Sequence, residues 1–177
     1  DKLIYTPAGP QTTMVALDKK TGETIWTSES LGDTSAYVSP ILIERGGKKI
    51  IATLASRHFF GVDAEDGTIL WRYDYSQLEA PDHPVAAFIN CVSPIYRDGR
   101  IFITSGYNHT GAMFSLSADG RSIALEWIQP VLDTHHGGVV LVDGYIYGSN
   151  WLSNSNGHWV CLDWQSGEVM YEEKWIS

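Results

Sequence analysis

The chain has 177 residues, of which 44% are hydrophobic, 12% aromatic and 19% charged, a globular composition that excludes an intrinsically disordered chain. Twelve Lys and Arg stand against 21 Asp and Glu, a net charge of −9, and so acidic a surface argues against general nucleic-acid or anionic-membrane binding. No apolar run approaches the roughly 20 residues that cross a bilayer, so no membrane span is expected.

The sequence starts at Asp1 and reads as a processed or excised form. The first predicted strand is Leu3–Pro7. A recognisable unit follows: Ala16-Leu17-Asp18-Lys19-Lys20-Thr21-Gly22-Glu23-Thr24-Ile25-Trp26. After the connection Thr27–Tyr37, Ser39–Ile43 and Lys49–Leu54 read as strands joined through Gly46-Gly47. The unit then returns as Gly61-Val62-Asp63, Gly67 and Trp71. Tyr75–Ala80 could make one helical turn at most. Ser93–Tyr96, Asp98-Gly99 and Arg100–Thr104 repeat the strand–turn–strand pattern. A degenerate unit runs from Ser115 to Trp127, with Ser117 in place of Asp and Gly120 one residue early. Gly137–Val142, Asp143-Gly144 and Tyr145–Gly148 make the next pair, and the last unit carries Asp163, Gly167 and Tyr171.

Asp-Gly and Gly-Gly favour type I′ hairpins, whose two central residues both need positive φ. In the Asp-x-x-x-Gly turn, Asp bonds its own turn backbone and Gly takes the left-handed position. Each repeat therefore reads as four antiparallel strands, A to D. The aromatic positions 26, 71, 127 and 171 recur at separations of 45, 56 and 44 residues, the signature of propeller blades. The expected fold is all-β: a partial β-propeller of four-stranded antiparallel blades. Its single domain, 1–177, holds about four blades, at about 2–29 (incomplete), 36–75, 88–130 and 135–175. A lone four-stranded sheet cannot bury two apolar faces, whereas neighbouring blades can. The structural aromatics and glycines are then Gly22, Trp26, Gly67, Trp71, Trp127, Gly167 and Tyr171, with each aromatic placed against the glycine turn of a neighbouring blade.

The run Ala16-x-Asp18-x-x-Thr21-Gly22-x-x-x-Trp26 resembles the tryptophan-docking repeat of the pyrroloquinoline-quinone (PQQ)-like propellers. That family includes quinoprotein alcohol dehydrogenases and a non-enzymatic outer-membrane assembly lipoprotein. The resemblance implies a seven- or eight-bladed whole and a secreted or periplasmic bacterial protein. It implies PQQ and calcium only in a complete propeller. The enzymatic branch carries adjacent cysteines whose disulfide stacks on PQQ, and Glu, Asn and Asp around calcium. Cys91 and Cys161 are far apart, and no calcium-binding carboxylate set is visible. No catalytic residue, metal or cofactor is therefore assigned to this chain. The expected role is a ligand-binding or protein-interaction scaffold. The alternatives are a fragment of an alcohol or sugar dehydrogenase and a polysaccharide-active propeller.

The D–A connections and B–C loops should form one mouth of the central channel. Residues there that the repeat does not explain are Tyr37, Asn90, His109, His135, His136 and Trp151, a ring suited to a polar ligand with a flat or sugar-like face. The partner could be a small molecule, a glycan or a protein. His135 and His136 are expected to point to opposite sides by strand alternation, and adjacent histidines rarely ligate one ion together. The connection before the third blade is longer than its counterpart and carries Asp82 and His83 near two prolines, the expected tip of a lid. Blade faces left uncovered would favour dimerisation.

Overall fold

The structure is a computed structural model that describes residues 1–78 and 89–174; the expected lid residues Asp82 and His83 fall outside them. The described residues form fifteen strands in four antiparallel sheets. Blade 1 holds β1 (Lys2–Tyr5), β2 (Val15–Asp18) and β3 (Thr24–Thr27). Blade 2 holds β4 (Ile41–Arg45), β5 (Lys48–Leu54), β6 (His58–Asp63) and β7 (Ile69–Asp74). Blade 3 holds β8 (Ile95–Arg97), β9 (Arg100–Ile103), β10 (Gly111–Leu116) and β11 (Ile123–Gln129). Blade 4 holds β12 (Val140–Val142), β13 (Tyr145–Ser149), β14 (Trp159–Asp163) and β15 (Val169–Glu173). Each sheet follows chain order, and one 3₁₀ turn, Tyr75–Gln77, follows β7. The chain is thus a partial β-propeller.

The local causes are those the turns predict. Asp98 and Gly99, like Asp143 and Gly144, all have positive φ, as a type I′ hairpin requires. In the C–D turn of blade 1, Asp18 Oδ1 accepts the N–H groups of Lys20 and Thr21 at 2.8 and 2.9 Å, and Gly22 N–H returns to the Asp18 carbonyl. Asp163 repeats this with Gln165, Ser166 and Gly167. In blade 3 the hydroxyl of Ser117 takes over, accepting from Arg121 and Ser122. The substitution keeps the turn because a hydroxyl oxygen can also accept two backbone N–H bonds.

Strand alternation divides the core into layers between blades. In β5, Ile50, Ala52 and Leu54 pack with blade 3, while Ile51 packs with blade 1; in β6, Phe59 and Phe60 divide the same way. Ile101 and Ile103 face blade 2, whereas Phe102 and Met113 join Ile146, Val160 and Leu162 of blade 4. The central blades are therefore buried on both faces. The outward faces of blades 1 and 4 leave Leu3, Tyr5, Val142 and Trp159 exposed.

The aromatic positions behave in two ways. Trp26 lies on the C–D turn of blade 2: its Nε1 donates to the Ala64 carbonyl at 3.2 Å, and a Cβ on Gly67 would come within 2.6 Å of its ring. Trp127 does the same to blade 4, donating to Gln165 O at 3.2 Å, with Gly167 under the ring. Trp71 differs. It sits over Gly61 of its own blade and against Phe59, and its buried Nε1 has no hydrogen-bond partner. Tyr171 lies on blade 4 and is 43% exposed. Gly22 has open space where a Cβ would point, with no ring above it.

A second device, not expected from the repeat, joins every pair of blades. Lys2 donates to the carbonyls of Ala64 and Glu65, Arg45 to that of Ser117, and Arg100 to those of Trp164 and Gln165. Each cation donates to carbonyl oxygens on the next blade's C–D turn, a charge-assisted bond that ties the two blades together. At the blade 2–3 junction, where Trp71 does not reach the turn, Arg45 and the close approach of Gly46 to the Ala118 carbonyl supply the contact.

Candidate ligand site at the channel mouth

The D–A connections and the B–C loops meet on one side, held by two buried carboxylates. Asp33 accepts the backbone N–H groups of Arg57 and His58 and lies 3.1 Å from His58 Nδ1. Asp133 accepts from Asn108 N and Trp151 N, so one side chain clamps the B–C loops of blades 3 and 4. Both residues open an Asp-Thr pair in a D–A connection. That recurring pair was available in the sequence as a signal, and its physical basis is that one carboxylate can accept several backbone N–H bonds.

The expected ring separates into two groups. Asn90 is 1% exposed, and its amide donates to the carbonyls of Ala55 and Ser56 at 2.6 and 3.2 Å. His109 is fully buried, with its ring 5.1 Å from that of Tyr75. Both side chains are buried, and that of Asn90 ties the connection into blade 3 to the B–C loop of blade 2. Unlike the accessible ring expected from the sequence, Asn90 and His109 are buried positions within the described loops. Tyr37 is 81% exposed, and its N–H donates to the Asn90 carbonyl. His135, His136 and Trp151 remain accessible and come together.

The expected opposition of His135 and His136 is also corrected. Their ring centroids lie 3.8 Å apart. Alternation does not apply because β12 begins only at Val140, after Gly137 and Gly138 turn the chain through left-handed φ. Tyr107, which sequence reasoning did not select, joins the group: its ring lies 4.6 Å from that of His135 and 5.0 Å from that of Trp151. Tyr107 and Asn108 both have positive φ, a conformation uncommon for residues with a Cβ. The bond from Asn108 N–H to Asp133 fixes that backbone and presents Tyr107 between the two rings.

The rings of His135, His136 and Trp151 border a concavity of about 300 Å³, lined also by Asn154, Asn156 and His158 among others. Its far wall is braced: Asn150 Oδ1 accepts His158 N–H, while Asn150 Nδ2 and His158 Nδ1 both meet Glu172 Oε1. Trp151 Nε1 donates to Asn154 Oδ1 at 3.0 Å, which fixes the indole plane. Burial, and then the neighbouring His136, hold His135 below its ordinary imidazole pKa. Burial pushes the Cys91 thiol up. At neutral pH the site therefore offers a neutral imidazole, amides and two flat rings.

Cys91 and Cys161 are both free; Cys91 precedes β8 and Cys161 lies within β14. Among the described residues, the group that can converge on an ion is Cys91, His135 and His136, which contains no carboxylate for calcium.

The four-bladed fold defines a partial propeller of the PQQ-like class. The chain belongs to the family whose model, described as outer membrane protein assembly factor BamB, matches residues 1–173. Comparison with curated proteins finds no match. Among solved structures it is similar to a europium-containing methanol dehydrogenase, at 12% identity and a TM-score of 0.61, over 93% of this chain and 40% of that one. It is also similar to the quinohemoprotein alcohol dehydrogenase ADHIIG from Pseudomonas putida HK5, at 16% identity and a TM-score of 0.58, over 86% and 22% of the two chains. At these identities the likeness shows the fold. The chain spans less than half the length of either. No helix among the described residues is long and apolar enough to cross a membrane.

Proposed function

We propose that this chain is a binding portion of a larger, seven- or eight-bladed PQQ-like propeller, secreted or periplasmic, and that its mouth takes a polar, hydroxyl-rich ligand such as a glycan. The observation that carries this reading is the Tyr107–Trp151–His135 ring group beside an amide-lined concavity. Flat rings stack on the apolar face of a sugar, and the Asn and His groups hydrogen-bond its hydroxyls. A glycan screen on the full chain tests it: retention of a glycan that Trp151→Ala loses supports the reading, and no retained glycan contradicts it.

The second reading, a fragment of a quinone-dependent alcohol or sugar dehydrogenase, draws on the fold shared with two dehydrogenases. In that case the cofactor residues lie on other blades of the parent protein. Adding PQQ and calcium to the full-length parent distinguishes the two. A quinone absorbance band with dye-linked alcohol oxidation favours the enzyme, and neither signal favours the scaffold.

A further inference from the structure

We propose that Cys91, His135 and His136 form a three-ligand site for a zinc-class transition-metal ion. Cys91 comes from the connection leading into blade 3, and the two histidines come from the connection leading into blade 4. The fold nevertheless brings one ligand atom of each to within 4.8 Å of the others. The donor set is one sulfur and two imidazole nitrogens. This softness selects zinc-like ions over calcium or magnesium, which require oxygen ligands.

Three features of the packing prepare the site. The left-handed turn at Gly137 and Gly138 carries the backbone away, so that both imidazoles stay on one side. A Cβ on Gly106 would come within 2.6 Å of His135 Cβ, so Gly106 permits the His135 backbone to sit against the blade 3 loop. The ring of Tyr107 then meets that of His135 edge-on. Two imidazolium charges 3.8 Å apart would repel each other, whereas one metal ion can use a lone pair from each neutral ring. The Cys91 thiol now donates to the His135 carbonyl. On metal binding its proton passes to solvent, and Sγ coordinates as thiolate. Three protein ligands leave a fourth position for water or for an oxygen of a bound molecule. Both histidines also line the 300 Å³ concavity, which gives an ion a route from solvent.

The site stands independently of the glycan reading, since metal binding needs no organic ligand. The test titrates the reduced, metal-stripped full chain with Co²⁺ alone and follows absorbance. One equivalent should produce a thiolate-to-cobalt charge-transfer band in the near ultraviolet, and Zn²⁺ should displace it. Cys91→Ser should abolish the band, and Cys161→Ser should keep it. His136 is exposed, so His136→Ala should leave the fold intact while weakening Co²⁺ binding by about tenfold or more. Absence of the band, its survival in Cys91→Ser, or its loss in Cys161→Ser would overturn the site. If Cys91→Ser does not fold, unchanged Co²⁺ affinity in His136→Ala overturns it instead.

Discussion

The C–D turn belt and the channel mouth are built on opposite principles. At the belt, one backbone solution recurs: an acceptor side chain closes a turn, a left-handed glycine follows, and the preceding blade in chain order places a group on that turn. Trp26 on Gly67 and Trp127 on Gly167 are two copies of the same contact. At the mouth the repeated feature among the described residues is the Asp-Thr clamp, at Asp33 and Asp133. Its side chains are set by loops of unequal length. The regular region supplies stability, and the irregular region is free to vary in chemistry.

The largest effect is expected where the belt is densest. Trp26→Ala should cost about 3–5 kcal/mol in urea denaturation, as loss of a large buried aromatic does. Gly67→Ala should cost about 2–4 kcal/mol, since it combines a left-handed φ with a collision against the Trp26 ring. A loss under about 1 kcal/mol in both would remove the belt from the stability account. A finer comparison lies within the belt. Trp26→Phe and Trp127→Phe each lose an indole hydrogen bond worth about 1 kcal/mol. Trp71→Phe should be the mildest of the three, because the Trp71 Nε1 has no bond to lose. Equal costs would show that the blade 2–3 junction is no exception.

The contrast explains what could be read from the sequence. Asp18, Gly22 and Trp26 announce their structure because the turn needs an acceptor and a left-handed residue at set positions, and the strands and hairpins follow from the same logic. The degenerate copy at Ser117–Gly120 marks the junction where Trp71 makes no turn contact, although the sequence did not say that Arg45 would substitute. The mouth was legible only in part. His135, His136 and Trp151 could be found as polar and aromatic residues outside the repeat. Asn90 and His109 looked equivalent to them, yet they are buried, because burial of a loop residue depends on how distant loops fold back over it. Tyr107 and Cys91 carried no local signal. Their significance comes from rings and ligand atoms contributed by blade 4.

At the mouth the stability effects should be small. Trp151→Ala should stay within about 1 kcal/mol of the parent chain, since the ring is partly exposed and its Nε1 bond is local to the loop. The pH dependence is a smaller effect still. His135 is held below its usual value of 6.5 by burial and by His136. In the window just below that value the unfolded chain binds more protons than the folded one. This share of stability is therefore full above the usual value and falls as pH drops through the folded pKa. His135→Asn should flatten the thermal midpoint between about pH 7.5 and about pH 5.5. The turn carboxylates act in a lower window. Asp18, Asp66, Asp119 and Asp163 are held below 3.8, chiefly by hydrogen bonds from Thr21, Thr68, Ser117 and Ser166. Their stabilising share is lost only in stronger acid. A profile unchanged by His135→Asn would show that burial of this ring contributes nothing.

The separation of belt and mouth is tested most directly by calorimetric titration of a retained glycan into the parent chain, Trp151→Ala and Trp26→Phe. The account predicts that Trp151→Ala loses about tenfold or more in affinity, equivalent to about 1.4 kcal/mol, while Trp26→Phe binds as the parent does despite its lower stability. Unchanged binding by Trp151→Ala, or an equal loss in both variants, would contradict it.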